Sequence, residues 1–286
     1  MASYLKKLKK QQGASLIQVL IGISVGAFVL VIAAEMYFTV RNSYTRTVTQ
    51  MTDNTRANLV SQVIRNTIDK ATSLSPFGIW PWQQVDVRTL SFNPLVYPPI
   101  YAATLLNFYN PPNQVLGTHI LMLQSMVSSQ FTTSGINQGD NPIPTTLAIG
   151  KNDFVLLADQ AGYQVMKATA NASGSLVSVE QGPARSYAIN SFLAQYHVYI
   201  FYLRELNGVR SLMLNVDGES KSDEVIRNVE DFQIRYFING AWRNIDNEGT
   251  PGYLNSWYKE TKGIEIQYQI NAQQYTLIIA LKPNLL

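Results

Sequence analysis

The hydrophobic pattern changes period along the chain. Residues 16–36 are almost continuously apolar, and the 24 positions from Gln11 to Ala34 carry no charge. About 20 helical residues cross a bilayer core, so this stretch predicts one membrane-length helix. After Glu35 the apolar residues recur every three or four positions, at Tyr37, Val40, Tyr44, Val48, Met51, Leu59 and Val63, with Thr55 filling the gap. Arg41, Arg46, Asp53, Arg56 and Arg65 fall mostly elsewhere. That spacing predicts an amphipathic helix. No proline or glycine interrupts residues 27–75, and Pro76 and Gly78 are the stop signal. Residues 14–72 as one helix would reach roughly 88 Å. Threonine and asparagine break the stripe too often for coiled-coil heptads.

Beyond the helix the period shortens to two. Residues 74–112 come first, with seven of the chain's 12 prolines and only Asp86 and Arg88 charged. Proline at that density forbids long regular elements, so the segment reads as an extended, loop-like stretch draped on a domain. Its aromatics either form a contact surface, with Trp80 and Trp82 the candidate residues for a partner or ligand, or point inward and fix the loop. Strand signals follow at 119–126, 153–159, 163–169, 197–206, 210–216, 229–238, 263–270 and 275–281. Residues 127–151 read as a loop. Asn207-Gly208 and Asn239-Gly240 are strong hairpin turns, and Gln160-Ala161-Gly162 is another tight turn. The expected fold class is α+β: a long N-terminal helix packed on a mostly antiparallel, meandering sheet.

Charge narrows the functional classes. Lys6, Lys7, Lys9 and Lys10 sit in an acid-free leader; of 22 basic and 19 acidic residues in all, 18 basic ones remain outside it. The body of the chain is therefore nearly neutral and has no global basic field to draw in DNA. The absence of cysteine excludes disulfides, thiol nucleophiles and cysteine-ligated zinc. Lysines before the apolar run and Glu35 after it place the N-terminus in the cytoplasm and the bulk of the chain outside, by the positive-inside rule.

The leader and apolar run fit a cleaved signal peptide, a plain signal anchor, or a third class. The run is long for a signal peptide, and no convincing small-x-small cleavage site follows it. Gly13-Ala14-Ser15-Leu16-Ile17 after a short lysine-rich leader resembles the processing signal of type IV pilins and pseudopilins. In the body, the HILML strand, the YIFYLR strand and VIRNVEDFQIRYFING resemble the PilW-type minor pilins, with GspJ-type secretion pseudopilins similar in outline. The likeness covers both ends of the chain and is weak between 74 and 115. It implies cleavage after Gly13 by a prepilin peptidase, a methylated N-terminus at Ala14, and retention of the apolar run as an assembly helix. Such pilins usually have glutamate at the fifth mature position, thought to pair with a neighbouring subunit's free amine. Gln18 departs from this: it can accept a hydrogen bond from an ammonium but cannot neutralise it. Either Gln18 marks a tip-proximal subunit with no neighbour ahead, or it is a tolerated substitute. Gly22 and Gly26 make a G-x-x-x-G step, which lets helices approach closely in lipid.

The resemblance divides the chain into a leader (1–13), an assembly helix in the inner membrane (14–36), an amphipathic continuation (37–75) and an exported β-rich domain (76–286), with the proline-aromatic loop at 76–112. The implied partners are other minor and major pilins, the prepilin peptidase and the inner membrane. The implied work is assembly of a pilus supporting adhesion, twitching or DNA uptake; a secretion pseudopilin and a tip adhesin or DNA-binding module are the alternatives. Chemical motifs are sparse. No phosphate loop, nucleophile elbow or zinc-protease motif is present, so no catalytic residue, enzyme activity or cofactor is expected. His119 and His197 each read as the start of a strand with a structural role. DGESKSDE, with Asp217, Glu219 and Asp223, loosely suits calcium but lacks the EF-hand pattern, and a solvated turn is the simpler reading.

Overall fold

The computed structural model describes residues 2–71, 100–106, 109–245 and 261–281, with side chains from Leu16 onward. The long helix among the described residues, α1 (Ala2–Ala71), is unbroken because nothing in it lacks an N–H or clashes with the preceding turn. The helix therefore begins twelve residues before Ala14 rather than at it. Contacts divide the chain into two units, Met1–Thr55 and Arg56–Leu286. In the first unit, apolar residues from Leu16 to Ile32 are 42–72% exposed. The stretch is long and apolar enough to cross a membrane, and none of it is buried by the protein.

The second unit contains the last turns of α1. Ala57, Val60, Ile64, Ile68 and Ala71 are buried there, at intervals of three and four residues. The expected stripe through Leu59 and Val63 is corrected: Leu59 is 47% exposed, and Val63 lies at the margin of the core. Two alanines mark the packed face, and their small side chains carry little weight in a hydrophobic pattern while permitting close approach. The Tyr268 hydroxyl donates to the Ala57 carbonyl at 2.8 Å and bonds the Ser61 hydroxyl at 2.9 Å, fixing the helix to the domain.

The strands are β1 (Ile100–Ala103), β2 (Ile120–Phe131), β3 (Ile143–Pro144), β4 (Phe154–Asp159), β5 (Gly162–Lys167), β6 (Leu176–Val177), β7 (Phe192–Leu206), β8 (Val209–Val216), β9 (Ser222–Arg227), β10 (Val229–Ile238), β11 (Ala241–Asn244), β12 (Thr261–Ile270) and β13 (Gln273–Ala280). The larger sheet runs β1-β2-β7-β4-β5, with β8 also on β7 and β9 on β8; the second runs β11-β10-β12-β13; β3 and β6 form a small ribbon. All these pairs are antiparallel. The fold class is thus α+β, as expected, but the larger sheet is no simple meander, since β7 inserts between β2 and β4.

Alternate residues of the larger sheet enter two different cores. Ile100, Ala102, Leu121, Leu123, Phe201 and Leu203 pack with α1 and the second sheet, whereas Tyr101, Ala103, Ile120, Met122, Ile200 and Tyr202 pack on the opposite face. Burial on both faces is why HILML and YIFYL lack a polar alternation. It also corrects the reading of 100–103 as draped loop: these four residues form a buried strand on β2. Likewise β2 continues to Phe131, and β7 begins five residues before His197.

The hairpin turns behave as expected. Asn207-Gly208 and Asn239-Gly240 hold φ values of 53°, 75°, 50° and 81°, the left-handed pairs that a two-residue hairpin requires. The irregular Glu230-Asp231 step is a bulge in β10 against β12.

Candidate functional site

Two places carry the functional questions: the exposed part of α1 and a break in the larger sheet. Gly13 and Ala14 lie within the helical backbone of α1. Gln18, Gly22 and Gly26 lie on its exposed portion. A Cβ added at Gly22 or Gly26 would meet nothing within 4 Å, so the small-residue step is free to receive another helix. Trp80 and Trp82, together with Asp86, lie outside the described residues.

The break arises from how β7 is shared. Residues Phe192–Tyr196 pair with β4, and Tyr199–Leu206 pair with β8. Strand β2 occupies the other edge of β7. Strands β4 and β8 therefore abut end to end along one edge, and the seam falls at His197 and Val198. Asp153 stands immediately before β4, and Asp217 immediately after β8. Backbone pairing across the seam is completed by Asp217: its N–H donates to the Val198 carbonyl at 2.8 Å, and its Oδ1 accepts from the Val198 N–H at 2.7 Å. Asp217 has φ 58°, opening the turn that Gly218 continues. Its Oδ2 lies 2.5 Å from His197 Nδ1.

Asp153 approaches from the opposite end of the seam. Its Oδ2 accepts from the Gly150 N–H at 2.6 Å and from Gln195 Nε2 at 2.7 Å; Gln195 in turn accepts from the Ser128 hydroxyl at 3.0 Å. One ligating atom from each of Asp153, His197 and Asp217 lies within 4.8 Å of the others. Burial of the imidazole lowers its proton affinity, but the Asp217 bond and charge, helped by Asp153 and Glu219, leave the His197 pKa raised. Burial lifts the Asp217 carboxyl above its ordinary value, an effect that His197 and Val198 partly offset.

This geometry revises the acidic-turn reading. The Asp217 side chain is only 8% exposed, so it is not part of a solvated turn. Glu219 is exposed, and Asp223 is an exposed residue of β9 opposite Leu214. Neither belongs to the set that converges with Asp217. His197 lies within β7 rather than opening it. His119, by contrast, is structural: its N–H donates to the Phe232 carbonyl at 2.9 Å, and its Nδ1 accepts from the Ile234 N–H at 2.7 Å, tying the start of β2 to β10. Asp153 escaped notice in the sequence because an aspartate before a strand is ordinary, and only the sharing of β7 brings it to Asp217. Compared with known protein families, curated proteins and solved structures, the chain matches none.

Proposed function

We propose that the chain is a minor-pilin-like structural subunit, anchored by α1 in a bacterial inner membrane before its incorporation near the tip of a type IV pilus. The observation that carries this reading is that one uninterrupted helix contains both an apolar stretch left wholly uncovered and the residues buried by an antiparallel β domain. A helix uncovered by its own chain is stable in lipid or against other helices. On this reading the lysine leader stays cytoplasmic, the prepilin peptidase cuts between Gly13 and Ala14, and the new amine is methylated. Residues 14–36 then leave the membrane by packing among neighbouring subunits, with Gly22 and Gly26 allowing close contact. The role is assembly rather than catalysis, and the energy for extraction comes from a cytoplasmic motor.

N-terminal mass spectrometry of the protein from native membranes tests the proposal. The expected chain begins at methylated Ala14 and keeps the apolar helix. A chain beginning at Met1 while the pilus machinery is intact, or one that has lost the helix, would overturn it.

A further inference from the structure

We propose that Asp153, His197 and Asp217 bind a divalent transition-metal ion that clamps the seam between β4 and β8. The three side chains come from separate elements and converge within 4.8 Å. One imidazole and two carboxylates make a mixed nitrogen–oxygen set. Such a set suits zinc or manganese, whereas calcium prefers an all-oxygen shell.

The surrounding bonds orient the ligands. Asp153 is held through Oδ2 by Gly150 and Gln195, while its Oδ1 accepts no hydrogen bond among the described residues. Asp217 is held through Oδ1 by Val198, and its Oδ2 faces His197. Each carboxylate thus has one oxygen held by neighbouring donors, and a second that faces His197 in Asp217 and accepts no hydrogen bond among the described residues in Asp153. Holding ligands by hydrogen bonds in this way is how a metal site is pre-oriented. The charge balance agrees: two carboxylates meet a single imidazole, so even a protonated His197 leaves one negative charge at the seam for a cation to offset.

The 2.5 Å separation of His197 Nδ1 and Asp217 Oδ2 is too short for two ligands of one ion, which stand about 3 Å apart when each bond is near 2 Å. Binding therefore replaces the shared proton, releases it to solvent, and separates the pair by about half an ångström. Three protein ligands leave room in the coordination shell for water or a further oxygen. Because the ion joins the residue before β4 to the residue after β8, its first consequence is mechanical, tying together two strands that share β7 without pairing with each other.

The test uses the full chain in detergent, stripped with a chelator and titrated with zinc, manganese or calcium chloride. One zinc or manganese ion per chain is expected by calorimetry, with the melting midpoint raised by about 5–10 °C at a hundredfold excess over Kd. Asp153→Asn leaves the His197–Asp217 pair intact and is expected to weaken binding at least tenfold; His197→Gln is expected to do the same. Cobalt substituted for zinc should give a visible absorption band that either variant removes. The proposal is overturned if neither zinc nor manganese binds at millimolar concentration, if calcium alone binds, or if both variants bind as tightly as the parent chain.

Discussion

Asp159 illustrates how much one side chain does in this domain. It closes the turn after β4 by accepting from the Ala161 and Gly162 N–H groups at 2.9 and 3.2 Å, and it pairs with Arg185, whose guanidinium also lies 4.0 Å over the Tyr187 ring. Partial burial pushes the Asp159 carboxyl up, but Arg185 and the two N–H groups hold it below its ordinary value. A depressed folded-state pKa stabilises the protein above the unfolded value, near pH 4, and that contribution disappears as pH falls through the lower folded value. Asp159→Asn is thus expected to cost about 1 kcal/mol at pH 7 and to melt together with the parent chain at strongly acidic pH. Thermal melts across that range check this; a difference independent of pH would show that the charge is irrelevant. The pair was not legible beforehand, because Arg185 lies in an irregular loop whose path no local pattern specifies. The same holds at the seam, where the sequence marks Asp217 only as part of an acidic turn and Asp153 not at all, and only the pairing of β4 and β8 with β7 brings the two together.

Among the elements, local chemistry and long-range pairing separate cleanly. Hairpins β4–β5, β7–β8 and β12–β13 were legible because each joins neighbouring runs through a short turn. The β10 bulge was legible from the broken alternation at Glu230-Asp231. The insertion of β7 was not, since Met122 and Ile200 pair although 200 − 122 = 78 positions separate them, and no periodicity encodes that. The helix shows the same limit at finer grain: its existence follows from composition, but its packed face depends on Ala57 and Ala71. This gives a contrast that can be measured. Ile64 is fully buried, so Ile64→Ala is expected to destabilise the domain by about 2–5 kcal/mol. Leu59→Ala, on the exposed side, should stay within about 0.5 kcal/mol. Melting curves showing the reverse order would mean that the helix presents its other face to the sheet.

For the whole molecule, the decisive issue is what the uncovered part of α1 meets. Gln18 lies in that stretch, exposed and not among the residues of the buried cores, so substituting it removes no core contact of the β domain. On the pilin reading it faces the methylated amine of a neighbouring subunit within an apolar bundle. A carboxylate there would neutralise the ammonium, whereas a carboxamide only accepts its hydrogen bond, and charge-assisted bonds are about twice as strong as neutral ones. An ammonium buried without a counter-charge is costly. Glutamine therefore weakens insertion behind another subunit, yet costs nothing to a subunit with no neighbour ahead of it. Gln18→Glu should remove that restriction: the protein is expected to rise several-fold in sheared filaments and to appear along the shaft rather than only near the tip. Immunolabelling and quantitative blotting of sheared fractions measure both quantities. Unchanged abundance and unchanged position would mean that residue 18 does not determine where the subunit sits, and the tip assignment would lose its physical basis.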